Sequence, residues 1–156
     1  MPDLPVAPGA RWLEDWKPGD VVVSQGRTLT EADLMAWCGL TGDFNAMHVD
    51  EEFAKVHSPF GTRIPQGLLA VAIASGLQER LGIFGGTGRG LLGQTVSYRS
   101  PVHVGATIHV ELEAKEVSDR ADRPYGKLVL GYRILDQHAT LCIEGDMTVL
   151  VANRPT

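Results

Sequence analysis

The stretch GLLAVAIASGLQERL, residues 67–81, is apolar on nearly every side over about its first two to three turns. A helix with apolar side chains all round is buried on most of its sides. Crossing a bilayer takes about 20 apolar residues, and this stretch is shorter, so other parts of the chain must cover it. The segment therefore predicts a central helix enclosed by the rest of the fold.

Four long segments rich in β-branched residues follow this helix and can supply the cover. In one of them Ile108, Val110 and Leu112 alternate with His109 and Glu111, which is the two-residue period of a half-buried strand. A sheet that curves around one helix covers the apolar surface of both elements. We therefore predict an α+β fold, with a long central helix wrapped by a curved antiparallel sheet. The four segments are 90–102, 106–118, 125–137 and 139–152.

The chain length of 156 residues fits one domain with a substantial core, and no internal repeat is visible. Residues 1–16 are rich in proline and lack periodicity, so we predict an extended N-terminal arm that packs Trp12 and Trp16 onto the body. Residues 17–156 then form a single domain.

A β-branched run after a Pro-Gly turn, residues 21–23, predicts a strand ahead of the first helix. Thr30 and Asp33 have the spacing of a capping box, which marks the start of that helix. We expect the helix to run to about Cys38 and to end at Gly39, since glycine is the usual residue after a helix.

Composition excludes several classes of protein. The net charge of −5 provides no basic field for nucleic acid. The N-terminus lacks the basic and apolar regions of a signal peptide, and no segment is long enough to span a membrane. Cys38 and Cys142 lie in apolar segments without CxxC spacing, which predicts two buried free thiols. We therefore expect a cytoplasmic protein that binds neither nucleic acid nor membrane.

The stretch LTGDFNAMHVDEEF, residues 40–53, has the composition of a turn between helices and concentrates polar groups there. Asp43 and His48 are five residues apart, and Asn45 lies between them. A carboxylate and an imidazole at one end of an apolar helix can share a water molecule, so that one donates a proton as the other accepts. The residues alone leave a second interpretation open, in which Asp50 caps a short helix and His48 is merely solvated.

Gly67 is a second candidate site residue because it is the first residue of the predicted central helix. Its backbone N–H is one of the donors that a helix start leaves without an intrahelical acceptor. Such a donor could polarise a carbonyl oxygen, and the positive end of the helix dipole would reinforce it.

Other chemistries fit less well. The GxGxxG match at residues 88–93 has a helix before it and a strand after it, the reverse of a dinucleotide site. No second histidine stands at helical spacing from His48 to share a metal ion. Ser75 lacks the GxSxG elbow of a nucleophilic serine. We expect no metal and no cofactor.

The stretch LTGDFNAMHVDEEFA resembles the hydratase motif of the MaoC-like, (R)-specific enoyl-CoA hydratase family. In that family a Gly-Asp-x-Asn-Pro-aliphatic-His pattern is followed a few residues later by Ala. A short His-Gly segment then opens a helix that carries Ser before Gly, and RIPQGLLAVAIASG is similar to it. The block GQTVSYRSPVHVGATIHVELE resembles the strand that leads to a Pro-Val-x-x-Gly-Asp turn. The likeness extends from about residue 17 to residue 151. The matching residues are Gly42, Asp43, Asn45, Met47, His48, Ala54, Gly67, Ser75 and Gly76.

The resemblance implies the hot-dog fold, in which an antiparallel sheet wraps one long helix, and it implies a homodimer or a dimer of dimers. It implies an acyl-CoA or acyl-carrier thioester as substrate. His48 would take a proton from water and Asp43 would deliver one to C2, although the roles could be exchanged or shared. The Gly67 amide would hold the thioester oxygen. Asn45 would hold the loop, and Ser75 would line the site or bond the Asp43 loop.

Two positions depart from the family pattern. Ala46 stands where the family has proline, which loosens the loop without removing a functional group. Gln66 stands where the family has histidine before the helix glycine. Glutamine can hydrogen-bond but cannot charge, so we expect it to support the substrate or the loop.

Two other functions on the same architecture stay open. An acyl-CoA thioesterase also needs a carboxylate and a polarised thioester, but hot-dog thioesterases often carry their acid on the central helix. A non-catalytic acyl-CoA binding protein would need the pocket but would not need both Asp43 and His48. Four cations near the predicted site could meet the anionic CoA, although none is assigned to it: Lys55, Arg63, Arg89 and Arg99.

Overall fold

The computed structural model describes residues 5–119 and 122–155. Residues 1–4 of the predicted arm, and 120, 121 and 156 of the predicted domain, lie outside the described residues. No helix in the described ranges has the length and apolar character that crossing a membrane requires. The helices are α1 Glu31–Thr41, α2 Ala46–Val49, α3 Glu51–His57 and α4 Gly67–Glu79. The strands are β1 Val21–Val23, β2 Arg27–Thr28, β3 Gly88–Gln94, β4 Ser97–Tyr98, β5 Thr107–Ser118, β6 Tyr125–Leu135 and β7 Leu141–Ala152.

One antiparallel sheet dominates the structure. Its strand order is β1-β5-β6-β7-β3, with β2 added to β5 and β4 added to β7. The three long strands are in register at the centre, where Ala114 pairs with Leu130 and Leu130 with Met147. The side chains at these three positions are buried together on the face that meets α4. The predicted α+β architecture, a central helix packed on a long antiparallel sheet, is confirmed.

Helix α4 is buried on one side only. Leu69, Ile73 and Leu77 recur at helical spacing and enter the core that the sheet forms. Leu68 is 58% exposed, and Ser75 also faces outward. The expectation of burial on most sides is therefore wrong for one chain, because a single sheet covers a single face of the helix. The helix is also two residues shorter than predicted.

The N-terminal segment packs against the turn that follows α4. Leu13 and Trp16 are buried, and the Trp16 ring stacks on Phe84 with ring centroids 6.0 Å apart. The Arg11 guanidinium lies over the Trp16 ring, 4.7 Å from its centroid. Leu13–Asp15 form a 3-10 turn, so the segment is not extended throughout. The boundary between arm and domain stays a prediction.

Helix α1 begins as predicted and ends later. The Thr30 hydroxyl accepts a hydrogen bond from the Asp33 N–H, and the Asp33 carboxylate accepts one from the Thr30 N–H, which confirms the capping box. Gly39 lies inside the helix. The helix ends at Gly42, which has a φ of 74° and donates its N–H to the Cys38 carbonyl. The left-handed conformation that closes the helix favours glycine, and it brings the chain directly to Asp43.

The first predicted sheet segment is broken. It forms β3 and β4, and both pair with β7 on either side of Thr95. The Thr95 carbonyl accepts a hydrogen bond of 2.6 Å from the Tyr132 hydroxyl. It also crosses Gly145 so closely that a Cβ there would lie 2.0 Å from the oxygen. Since Gly90, Leu91 and Gly93 lie within β3, the GxGxxG match forms an edge strand, not a loop that opens a helix.

Asp33→Asn tests the capping box of α1. The hydrogen bond from the Thr30 hydroxyl, helped by the Arg27 guanidinium, holds the pKa of Asp33 below its ordinary value of 3.8. A pKa lowered by folding stabilises the fold above about pH 4, and that contribution is lost as the pH falls below 3.8. We expect the variant to lose about 1 kcal/mol of unfolding free energy at neutral pH, with the difference narrowing in acid. Urea unfolding of the wild type and the variant at several pH values measures this difference in unfolding free energy.

Glu52→Gln is the matched control, because Glu52 pairs with its own helix neighbour Lys55 and its side chain is 83% exposed. Its unfolding free energy should change by a few tenths of a kcal/mol. A constant difference between wild type and Asp33→Asn throughout the acid range would show that the Asp33 charge does not stabilise α1.

Candidate active site

A cavity of about 620 Å³ opens beside the start of α4. Asp43, His48, Gln66 and Gly67 all line it, although 24 residues separate the first from the last. Aromatic and aliphatic side chains form much of the remaining wall. Such a cavity, mostly apolar with a few converging polar groups, is the usual form of a small-molecule site.

The orientation of His48 is set by one backbone carbonyl. Its Nδ1 lies 2.6 Å from the Ile64 oxygen, and a carbonyl oxygen can only accept a hydrogen bond. Nδ1 therefore carries the proton. In the neutral ring, Nε2 is left with a lone pair that can accept a proton. The side chain is 18% exposed, so it is mostly enclosed yet reachable from the cavity.

The two carboxylate oxygens of Asp43 face different partners. Oδ1 accepts a hydrogen bond of 3.3 Å from the Asn45 N–H. Oδ2 lies 3.8 Å from His48 Nε2, which is too long for a direct hydrogen bond. The separation suits one water molecule bonded to both atoms. The Asp43 side chain is 44% exposed in the single chain.

Asn45 holds the helix that carries His48. Its side-chain oxygen accepts a hydrogen bond of 3.0 Å from the Met47 N–H, and it thereby caps α2. The stretch interpreted as a turn is thus a single helical turn between Asn45 and Asp50. Ala46 is the first residue of α2, a position where proline is well tolerated, which explains how either residue fits there.

Gln66 connects the Asp43 loop to the start of α4. Its Nε2 donates a hydrogen bond of 3.1 Å to the Asp43 carbonyl and lies 3.5 Å from the Cys38 sulfur. The side chain is 92% buried, and among the described residues its Oε1 has no hydrogen-bond partner. Because Gln66 immediately precedes Gly67, this bond fixes the distance between the Asp43 loop and the Gly67 amide.

Gly67 is the first residue of α4, and among residues 5–119 and 122–155 its N–H has no hydrogen-bond acceptor. The Tyr98 ring lies across it, so that a Cβ at position 67 would be 2.3 Å from the ring atom Cε1. Only glycine leaves room for this ring. The arrangement therefore places a backbone N–H donor, the Nε2 atom of an imidazole and a carboxyl group around one cavity.

A family model described as a MaoC like domain matches residues 16–130. The chain belongs to the MaoC-like family. The resemblance seen in the hydratase motif is thereby confirmed.

One related sequence and two solved structures are also similar to this chain. An (R)-specific enoyl-CoA hydratase of Rhodospirillum rubrum is 30% identical over 92% of this chain and 93% of its own length. A solved structure described as a monoamine oxidase regulatory protein from Archaeoglobus has a TM-score of 0.85, with 28% identity over 94% of this chain and 97% of that one. A Mycobacterium tuberculosis protein with a double hot-dog fold has a TM-score of 0.77 at 19% identity, over 94% of this chain and 46% of that one. The predicted hot-dog fold is confirmed.

Ser75 does not join the other predicted site residues in this MaoC-like chain. It is about 12 Å further along α4 than Gly67. It faces outward and lines a different groove with Gly88 and Leu91. Any role of Ser75 near Asp43 is therefore unsupported within one chain.

The candidate cations are mostly engaged elsewhere. Arg63 pairs with both Glu31 and Glu51, and it joins α1 to the loop before α4. Lys55 pairs with Glu52, and Arg99 pairs with Glu144 while lining the cavity. Arg89 donates to the Gly86 carbonyl. Glu51 accepts hydrogen bonds from Thr62 and Arg63, and the Thr62 bond chiefly lowers its pKa.

Sequence reasoning missed two parts of the site. Tyr98 comes from β4, and the Ile64 carbonyl comes from a loop; both reach the site through contacts distant in sequence. No local motif marks either one. Gln66, directly before the helix glycine, was a local sign that this loop would be held in place.

The tautomer of His48 can be tested directly. We expect long-range ¹H–¹⁵N correlation spectra of the neutral ring to show a proton on Nδ1 and none on Nε2, because the Ile64 carbonyl fixes it there. His48→Gln identifies the His48 signals by their loss, and the signals of His57 on α3 should stay in place. A proton on Nε2 would contradict the orientation described above.

Proposed function

We propose that this MaoC-like protein is a hydro-lyase that adds water to a 2-enoyl-CoA thioester or removes it from the 3-hydroxyacyl-CoA. One observation carries the proposal. The unprotonated Nε2 of His48 lies 3.8 Å from the Asp43 carboxylate, in a cavity that also contains the Gly67 amide. The relative from Rhodospirillum rubrum, described as an (R)-specific enoyl-CoA hydratase, supports the same class of reaction.

The residues divide the reaction between them. Nε2 of His48 takes a proton from the water that it shares with Asp43, and the resulting hydroxide bonds to C3. The electron pair of the C2–C3 double bond moves toward the thioester oxygen, which the Gly67 N–H stabilises. The Asp43 carboxyl group delivers a proton to C2. His48 then returns its proton to Asp43 through one bridging water, and the cycle closes.

Gln66 and Asn45 act on this geometry through other groups. Asn45 caps the short helix that carries His48, and the Gln66 amide holds the Asp43 backbone beside the start of α4. Both keep acid, base and amide in fixed relation, which is the condition for efficient proton transfer. Unlike the histidine of the family pattern, Gln66 holds the loop without a charge that changes with pH.

The competing functions have less support. A thioesterase acid on the central helix would have to lie near Gly67, yet the single acid of α4 is Glu79 at its far end. A binding protein would have no need of an imidazole nitrogen directed at a carboxylate. Neither alternative accounts for the orientation that Ile64 imposes on His48.

Crotonyl-CoA tests the reaction. We expect the enoyl-thioester absorbance to fall without release of free thiol. Asp43→Asn and His48→Ala should each lower kcat at least about a hundredfold, because each removes one acid/base group. Circular dichroism checks that both variants stay folded.

Two matched variants test whether loss of a carboxylate or of an imidazole outside the cavity lowers kcat. Asp146→Asn removes a carboxylate that pairs with Lys115 on the sheet, and His57→Ala removes an exposed imidazole on α3. Both should keep nearly wild-type kcat. Release of free thiol would instead identify a thioesterase. Binding without any reaction, across several enoyl-CoA chain lengths, would favour the non-catalytic protein.

We also infer a homodimer, alone or paired into a dimer of dimers. Strand β3 ends the sheet, and Leu91 and Leu92 on it are 58% and 54% exposed. The outer face of α4, with Ser75 and the exposed Leu68, lies open on the single chain. A second copy could continue the sheet at β3 and would thereby remove the unpaired edge.

Light scattering after size-exclusion chromatography measures the assembly. We expect a mass about twice, or about four times, the 16.8 kDa of one chain. Leu92→Lys places a charge on the exposed edge strand and should shift the mass toward one chain. Leu40→Lys, an equally apolar and 79% exposed position on α1, is the control and should leave the mass unchanged. An active monomer would refute the inference.

A further inference from the structure

We propose that the Tyr98 hydroxyl is a second hydrogen-bond donor to the thioester oxygen, beside the Gly67 amide. The proposal rests on the hydratase function above, and it assigns a role to a residue outside the Asp43–His48 motif. A transition state that places charge on a carbonyl oxygen is stabilised best by donors already aimed at it. One backbone amide leaves the second lone pair of that oxygen available to another donor.

The position of the ring supports this role. A Cβ built on Gly67 would lie 2.3 Å from Tyr98 Cε1 and 2.9 Å from Cζ. The phenol oxygen is bonded to Cζ, one of the three ring atoms nearest to that position. Tyr98 and Gly67 line the same cavity as Asp43 and His48.

The hydroxyl is also available. Among the described residues it makes no hydrogen bond, and Tyr98 is 54% exposed. Tyr132 provides the contrast, because its ring is buried and its hydroxyl is bonded to the Thr95 carbonyl. A purely structural tyrosine would be expected to resemble Tyr132.

The sheet holds the backbone that carries the Tyr98 ring. Tyr98 pairs with Ile143 in β7, just after the break in the strand at Thr95. The Thr95 N–H donates to the Asp146 carbonyl at 2.8 Å, and this bond fixes the break. The ring is thus attached to the rigid sheet, while Gly67 begins the helix packed on it. Two donors on rigid elements need little reorganisation during the reaction.

Tyr98→Phe separates the hydroxyl from the ring. It keeps the ring that packs on Gly67 and removes only the O–H donor. With crotonyl-CoA we expect kcat to fall about tenfold to a hundredfold, less than for a fully buried oxyanion donor because this side chain is half exposed. KM should change by less than about threefold, since the interaction is strongest in the transition state.

The absorbance of a bound substrate analogue adds a second test, because a change in packing without loss of a hydrogen bond would not alter it. Cinnamoyl-CoA bound to the wild type should absorb at longer wavelength than in water, because donors to its thioester oxygen polarise the conjugated system. The red shift should shrink in Tyr98→Phe. Tyr125→Phe is the control, since Tyr125 pairs with Ala152 at the other end of β7, and it should change neither kcat nor the red shift.

The outcomes distinguish this proposal from the one on which it rests. Suppose that the wild type hydrates crotonyl-CoA and that Tyr98→Phe has the same kcat and the same red shift as the wild type. This result would show that Tyr98 only packs against Gly67, and it would overturn the proposal. A wild type that hydrates no enoyl-CoA would refute the hydratase function, and the role of Tyr98 with it. A lowered kcat and a smaller red shift, at an unchanged thermal midpoint, would support it.

Discussion

The packing of one face of α4 on the long sheet is the constraint on which the rest of the structure depends. Leu69, Ile73 and Leu77 lie in the core with the inner side chains of β5, β6 and β7. Burial of these side chains fixes where the helix lies and therefore where it begins. Because the first residue of the helix is Gly67, the same packing places its backbone amide at the cavity.

The polar contacts of the site are built around that helix start. Gln66 holds the Asp43 loop against it, and the Ile64 carbonyl, three residues ahead of Gly67, turns His48 toward Asp43. Each of these bonds joins the loop before α4 to the segment after α1. The positions of Asp43, His48 and the Gly67 amide thus depend on a few bonds between two loops, which are supported by a single packed helix. A small shift of this helix would therefore change the relative positions of all three groups.

Close contacts explain two glycines that local conformation does not require. Gly67 leaves space for the Tyr98 ring, and Gly145 leaves space for the Thr95 carbonyl. The second contact lies at the break between β3 and β4, and the break brings Tyr98 to the helix start. The edge of the sheet and the proposed reaction centre are therefore coupled through one short segment of backbone.

Sequence by itself determined what local forces decide. The apolar run of α4, the alternation in β5, the capping box of Thr30 and the cap at Asp50 act between residues a few positions apart, and the structure contains each of them. The cluster of Asp43 and His48 was also visible, because one loop carries both.

Tertiary structure alone decided the contacts between distant segments. It brought Tyr98 onto Gly67, set the tautomer of His48 through Ile64, and left Ser75 in a different groove. It also moved the end of α1 from the predicted glycine to Gly42. These outcomes depend on strand register and on helix position, which long-range packing fixes and no short stretch of sequence encodes.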